Sequence, residues 1–298
     1  MKKTTYSMGL GFFSLLIVSG VFTGLLSPTF IYSLSLLFGY AAARYGNFGY
    51  LGPGLGLMIF GSLIIFGPSV SLIEVALLTI YGIVMGLSFF RRSTPEMIFL
   101  PSLAMLFGVM LTMFYLQKNL LGIDGLEALI EGYMSQIQIR IPDAQFLMDL
   151  RATMKEYSLS IVFLVALIFN LFICWVFSKM LDFRGLKKTG RFVFEYFRLR
   201  GLGIVEIIQL YAVAILGSFI TKMPMQTALT SLSLVLLSLF YVQGLSLLVF
   251  GMKSRGKGKF LVGVMVFFSL TMPFVQFFLA FIGLLEQKKD FRKLENIA

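Results

Sequence analysis

The sequence predicts an all-α protein, a polytopic transmembrane helical bundle, and three observations carry that reading. Hydrophobic residues make up 58% of the 298-residue chain and charged residues only 13%, with a mean hydropathy of +0.91. Soluble domains carry about a quarter charged residues. Apolar runs near or above the roughly 20 helical residues that cross about 30 Å of hydrocarbon recur along the chain. One long polar stretch, residues 118–157, interrupts them. It divides the chain into an N-terminal membrane block (1–117, about five segments), an amphipathic extracytoplasmic helical insert (118–157) and a C-terminal membrane block (158–298, about four segments) with a short basic tail.

Taken in order, the apolar run 8–26 follows Met-Lys-Lys as a signal peptide would, but it exceeds an h-region of about 7–15 residues. It reads as an uncleaved first span ending at Pro28. Segment 29–43 is short and closed by Arg44-Tyr45-Gly46; segment 50–66 carries Gly52, Gly54, Gly56 and Gly61. The pairs Gly52 with Gly56 and Gly20 with Gly24 have the Gly-x-x-x-Gly spacing that lets helix backbones approach closely in lipid. No Lys-Ser/Thr follows, as a phosphate loop requires. Segments 69–90 and 97–116 complete the first block; 158–177, 202–220, 225–250 and 260–285 make the second, for nine membrane segments. In the insert, Leu126, Leu129, Ile130, Tyr133, Met134 and Ile137 recur at three- and four-residue steps, one face of a helix. A second helix is expected from Pro142 and Asp143, which suit a first turn, with Phe146, Leu147, Leu150 and Met154 as its stripe. The pair either rests on the bilayer surface, capping the bundle, or covers a central cavity.

Histidine is absent and Cys174 is the single cysteine. Histidine acid–base chemistry, His or Cys metal sites and internal disulfides are therefore excluded. Aspartate is missing from every apolar segment, and neither a nucleotide loop nor an iron-binding pattern is present. The expectation is a protein that is not an enzyme and holds no cofactor. Its net charge of +11 comes from basic residues clustered between apolar runs. That pattern fits membrane topology and argues against nucleic acid. A cytoplasmic N-terminus puts sixteen of the 25 Lys and Arg inside, including those of 179–200 and 253–259, and turns the insert outward. Nine crossings then place Lys288, Lys289, Arg292 and Lys293 outside, against the rule. Either the tail is an exception, or the short second segment or the last one, broken at Pro273, fails to cross.

A charged side chain at mid-bilayer costs on the order of 2.5–3.5 kcal/mol, so such groups face the bundle interior or water. Glu74 lies in the fourth segment, and Glu206 with Gln209 one turn on in the seventh. Asn170, Gln243 and Gln276 sit deep in the sixth, eighth and ninth. The amides either link helices or line a polar cavity in the second block.

From Tyr241 onward the chain resembles the YybS-like family of bacterial integral membrane proteins. The resemblance is carried by Gln243-Gly244-Leu245-Ser246, the short basic loop after it, a proline-containing last segment, and Gly283-Leu284-Leu285 through Asp290-Phe291-Arg292-Lys293. Upstream, Phe197-Arg198-Leu199-Arg200 resembles that family's Phe-Arg-x-x-x-Leu-Pro motif without its proline. The family has no established activity. Its N-terminal block is similar in layout to the substrate-binding subunits of energy-coupling-factor transporters, which implies solute binding. Those subunits dock a partner through Ala-x-x-x-Ala on the first helix, where this chain has Ser7 with Gly11 and Gly20 with Gly24.

Two functions follow as expectations. The first is binding or permease-type transport of a small solute without catalysis, in a bacterial inner (cytoplasmic) membrane, with Asn170, Glu206, Gln209 and Gln243 lining the site. The second is a membrane scaffold or regulator that meets a membrane protein partner through the basic, aromatic-rich segment 179–200, whose composition also suits an anionic leaflet of the lipid bilayer.

Overall fold

The computed structural model describes residues 2–23, 25, 31–67, 69–91, 94–138, 144–183, 192–289 and 291–292. Every regular element among them is helical: α1 (Lys2–Phe22), α2 (Ile31–Tyr45), α3 (Gly52–Phe66), α4 (Val70–Phe90), α5 (Pro95–Leu121), α6 (Gly125–Gln138), α7 (Ala144–Glu156), α8 (Ser158–Phe183), α9 (Ile204–Thr221), α10 (Met225–Ser254), α11 (Lys259–Thr271) and α12 (Pro273–Lys288), with single 3-10 turns at Phe48–Tyr50 and Phe194–Tyr196. Six helices are each long and apolar enough to cross a membrane, namely α1, α4, α5, α8, α9 and α10. The pair α11–α12, bent by 105°, makes a seventh if counted as one span. The expected nine spans are not reached on length. Helices α2 and α3 have 15 residues each, short of the roughly 20 that a span needs. The last segment is broken at Met272, where Pro273 supplies no backbone N–H to continue α11. Gln276 serves the break by donating from Nε2 to the Leu270 carbonyl at 2.8 Å.

Local signals set the boundaries. Ser69 caps α4 by accepting from Leu72 N, and Pro95 opens α5 where a missing N–H costs nothing. Gly122, at φ +66°, ends α5 in the left-handed conformation that glycine adopts without penalty. Asp124 then accepts from Glu127 N at 3.1 Å and starts α6. Ile130 and Met134 of the expected α6 stripe are buried, whereas Tyr133 is exposed. Helix α7 begins at Ala144 and buries no residue fully. Pro142 and Asp143 lie outside the described residues, as do Gly24 and 184–191 of the basic segment.

The chain forms two compact units: 1–141 with 165–192, and 142–164 with 193–298. These boundaries differ from the three blocks read from the polarity profile. The insert is divided, α6 belonging to the first unit and α7 to the second, and most of α8 belongs to the first. The physical reason is that Asn170, Cys174 and Phe177 of α8 are buried among first-unit residues, as the bond from Tyr81 to Asn170 shows.

Within the first unit, helices pair through small residues. Helix α1 runs parallel to α3: Ser7 and Gly11 meet Gly54, Leu15 meets Gly61, and Phe22 stacks on Phe66 at 4.6 Å. Ser7 Oγ accepts from Gly54 N at 3.0 Å. Helix α2 runs parallel to α4, with Ser35 against Gly82 and Gly39 against Gly86. A Cβ on Gly54, Gly82 or Gly86 would meet neighbouring backbone, so each glycine is required by the approach. Gly52 and Gly56, the pair singled out by spacing, face open space instead. The Ser7–Gly11 face of α1 is occupied by α3 of the same chain. In the second unit, α10 and α12 meet where Gly244 faces Leu279 and Gly283 faces Phe240.

Candidate functional site

In the first unit the side chains of α2, α4, α5 and α8 surround a cavity of about 260 Å³. Its polar end is made by Glu74 of α4 and Gln117 of α5, both half-buried; Gln117 Nε2 donates to Glu74 Oε1 at 3.1 Å. No Lys or Arg lines the cavity, and among the described residues Gln117 is the carboxylate's one hydrogen-bond partner. Tyr81, Phe114, Phe169 and Met110 supply walls. The Gln117 amide oxygen in turn lies against Gly125, where any Cβ would collide with it. The first residue of α6 is therefore packed against the amide that bonds Glu74.

Beneath this cavity lies a closed polar cluster. Tyr81 donates from its hydroxyl to Asn170 Oδ1 at 2.9 Å, and Asn170 Nδ2 donates to the Phe99 carbonyl at 3.1 Å. Pro101 removes a backbone donor from α5. Next to it, Ser102 Oγ lies 2.9 Å from both Ile98 O and Phe99 O. Cys174 packs 3.7 Å from Ser102. Tyr81, Ser102, Asn170 and Cys174 are all buried, so Asn170 is committed at both ends of its amide and holds the Tyr81 ring at the cavity wall.

The second unit contains a different kind of polar centre. Glu286 and Arg292, both with fully buried side chains, form a two-pronged ion pair: Arg292 Nε lies 2.7 Å from Glu286 Oε1 and Nη2 donates to Oε2 at 2.9 Å. Gln243 Nε2 adds a bond to Glu286 Oε2 at 3.1 Å, while its Oε1 accepts from Leu199 N and from Gln287 Nε2. Arg292 also donates to Ser246 Oγ and the Glu195 carbonyl, and Arg198 donates to the Glu286 carbonyl. Ser246 bonds the carbonyls of Phe194 and Phe197. Arg198, Leu199, Gln243, Ser246, Glu286 and Arg292, far apart in the chain, thus converge on one buried network. Among the described residues it leaves the carboxylate no room for a ligand.

The four residues expected to share a site are divided between the two units, Asn170 in the first and Glu206, Gln209 and Gln243 in the second. Glu206 and Gln209 project from an exposed face of α9, a helix that buries little of itself. Of the basic segment 179–200, residues Phe192, Phe197, Arg198 and Leu199 are buried. Sequence reasoning left out Gln117, which lies at the edge of the insert, and set Glu74 aside. The available signal was a carboxylate inside an apolar segment with no base one helical turn away. Other grooves, of about 630 and 900 Å³, lie along α3–α4–α5 and along α1–α2 and are lined chiefly by apolar chains; the second carries Arg44 but no acid. No family model, curated protein or solved structure matches the chain.

Proposed function

We propose that this is a multi-pass protein of a bacterial inner membrane that binds a small solute in the Glu74 cavity, as a solute-binding or permease-type protein and not as an enzyme. The observation that carries the reading is the Glu74 carboxylate, set in an apolar span beside a cavity with one amide and no basic partner. Glu74 lies half-buried in the second turn of α4, and acids in membrane segments that face a bundle interior or cavity mark solute or ion paths. The size, about 260 Å³, falls just under the roughly 300–1,000 Å³ of pockets for drug-sized ligands.

Topology supports the same picture. The parallel pairs α1 with α3 and α2 with α4 give α1 to α4 the alternating directions of successive crossings, so α2 and α3 cross despite their length. Arg44 stacks on Tyr6 and Tyr45 near the start of α1, which puts it on the N-terminal side. Arg292 bonds Glu195, which is itself paired with Lys253 at 2.7 Å. Arg292 then lies with the segment at 193–200 and with Lys253 at the end of α10, which supports reading α11–α12 as a pair that enters and leaves on one side. With a cytoplasmic N-terminus, this arrangement supports a cytoplasmic place for Arg292, as the positive-inside rule favours. The scaffold reading, on segment 179–200, has less support among the described residues, where Phe192, Phe197 and Arg198 are buried while Tyr196 is exposed.

The test is thermal stability of the purified protein across a metabolite library. A compound that raises the Tm of wild type but neither Glu74→Gln nor Gln117→Leu supports the reading. Stabilisation that survives both substitutions, or none by any compound, removes it.

A further inference from the structure

We infer that the Glu74 cavity takes a monovalent organic cation: an amine or ammonium group carried on a small apolar or aromatic body. This rests on the solute-binding reading above and narrows it to a chemical class.

Charge comes first. One carboxylate faces the cavity without a Lys or Arg among the lining residues, so a single positive charge on the occupant completes the pair that the protein omits. An anion would face an uncompensated acid, and a neutral solute would leave the carboxylate with its one amide bond and no counter-charge. Oxygen supply comes second. The Tyr81 hydroxyl is committed to Asn170 and the Gln117 amide donates to Glu74. Calcium needs six to eight oxygen ligands and magnesium a near-ideal octahedron, and the walls do not provide them. The walls come third. Tyr81, Phe114 and Phe169 bring three aromatic rings and Met110 a polarisable thioether. Aromatic faces attract ammonium groups, most strongly away from water, and they bury an organic body that a bare ion lacks. The cavity, about 260 Å³, holds the volume of about nine waters at roughly 30 Å³ each, which suits one ring with a short side chain.

The experiment uses the full chain in detergent micelles and three probes with one skeleton: phenethylammonium, 2-phenylethanol and phenylacetate. Equilibrium dialysis measures affinity, and size-exclusion profiles confirm that each variant is folded. Wild type is expected to bind the cation at least tenfold more tightly than either other probe. Glu74→Gln should lose at least tenfold for the cation alone, Glu74→Asp should recover part of it, and Phe114→Leu should weaken it severalfold. Equal or tighter binding of 2-phenylethanol or phenylacetate overturns the cation assignment while leaving solute binding intact. Cation binding unchanged by Glu74→Gln overturns it as well, as does failure of all three probes to bind wild type. In that last case solute binding itself falls only if the metabolite library also yields no Glu74-dependent shift.

Discussion

Two carboxylates in this protein meet the same electrostatic problem in opposite ways. Glu286 in the second unit is sealed from solvent and answered from within: two contacts to Arg292, one from Gln243, and neighbouring carbonyls that take up the remaining guanidinium and hydroxyl donors. Glu74 in the first unit has one amide and a cavity. The first arrangement fixes structure, joining the residues after α12 to α10 and to the segment before α9. The second leaves Glu74 with a single hydrogen bond among the described residues, the feature on which the proposed binding rests. The difference teaches that a polar residue in an apolar helix is a site signal only when the fold has not already used it. Asn170 and Gln243 are used at both ends of their amides; Glu74 is held only by Gln117 among the described residues.

The comparison is broken most directly at Glu286. Glu286→Ala leaves Arg292 buried without its partner and should cost about 3–5 kcal/mol, the usual penalty for removing half of a buried pair. Denaturant unfolding in mixed micelles measures it, and adding Arg292→Leu should recover most of the loss. A cost under about 1 kcal/mol would mean that water reaches the pair. Next in size is Asn170→Ala, which strips the Tyr81 hydroxyl and the Phe99 carbonyl of their buried partner. It should destabilise by about 1–3 kcal/mol and weaken solute binding only through the displaced Tyr81 ring. Glu74→Gln should change stability by less than about 1 kcal/mol, since the amide keeps a bond to Gln117 while a poorly compensated charge is removed. A large loss there would show that Glu74 is structural after all.

The smallest effect is expected at the exposed turn between α5 and α6. The Lys118 ammonium, bonded at 3.0 Å, together with the Glu127 N–H, holds the Asp124 carboxyl below the usual aspartate range. A depressed folded-state value means that the contribution is present above the unfolded carboxylate pKa. It is lost as pH falls through the lowered value. The protection factors of amides at the start of α6, which are free of the pH dependence of intrinsic exchange, should therefore fall on acidification, and Asp124→Asn should remove that fall.

Much of the fold was legible before any coordinates. Apolar runs at 8–26, 69–90, 97–116, 158–177, 202–220 and 225–250 all appear as long helices, because in hydrocarbon a continuous apolar stretch has no better way to satisfy its own backbone. Pro273 marked the break in the last segment, since a ring without an N–H leaves the same gap wherever it stands. Spacing was a weaker guide to contact. Gly52 and Gly56 had the right interval, yet Gly54 makes the approach to α1, because which face of a helix meets a neighbour depends on how the whole helix is turned. The candidate site was the least legible part. Gln117 reads as the rim of a polar insert until the turn at Gly122 carries Gly125 back against its side chain.

What the sequence determined alone was the solvent of the protein, its helical class and most of its boundaries, since those follow from local composition and from backbone groups that each residue brings with it. Which polar side chains are spent on one another and which remain open was decided only by tertiary structure. Hydrogen bonds such as Tyr81 to Asn170, 89 residues apart, and the meeting of Gln243 with Glu286, 43 apart, depend on helix packing, and local pattern carries no record of it.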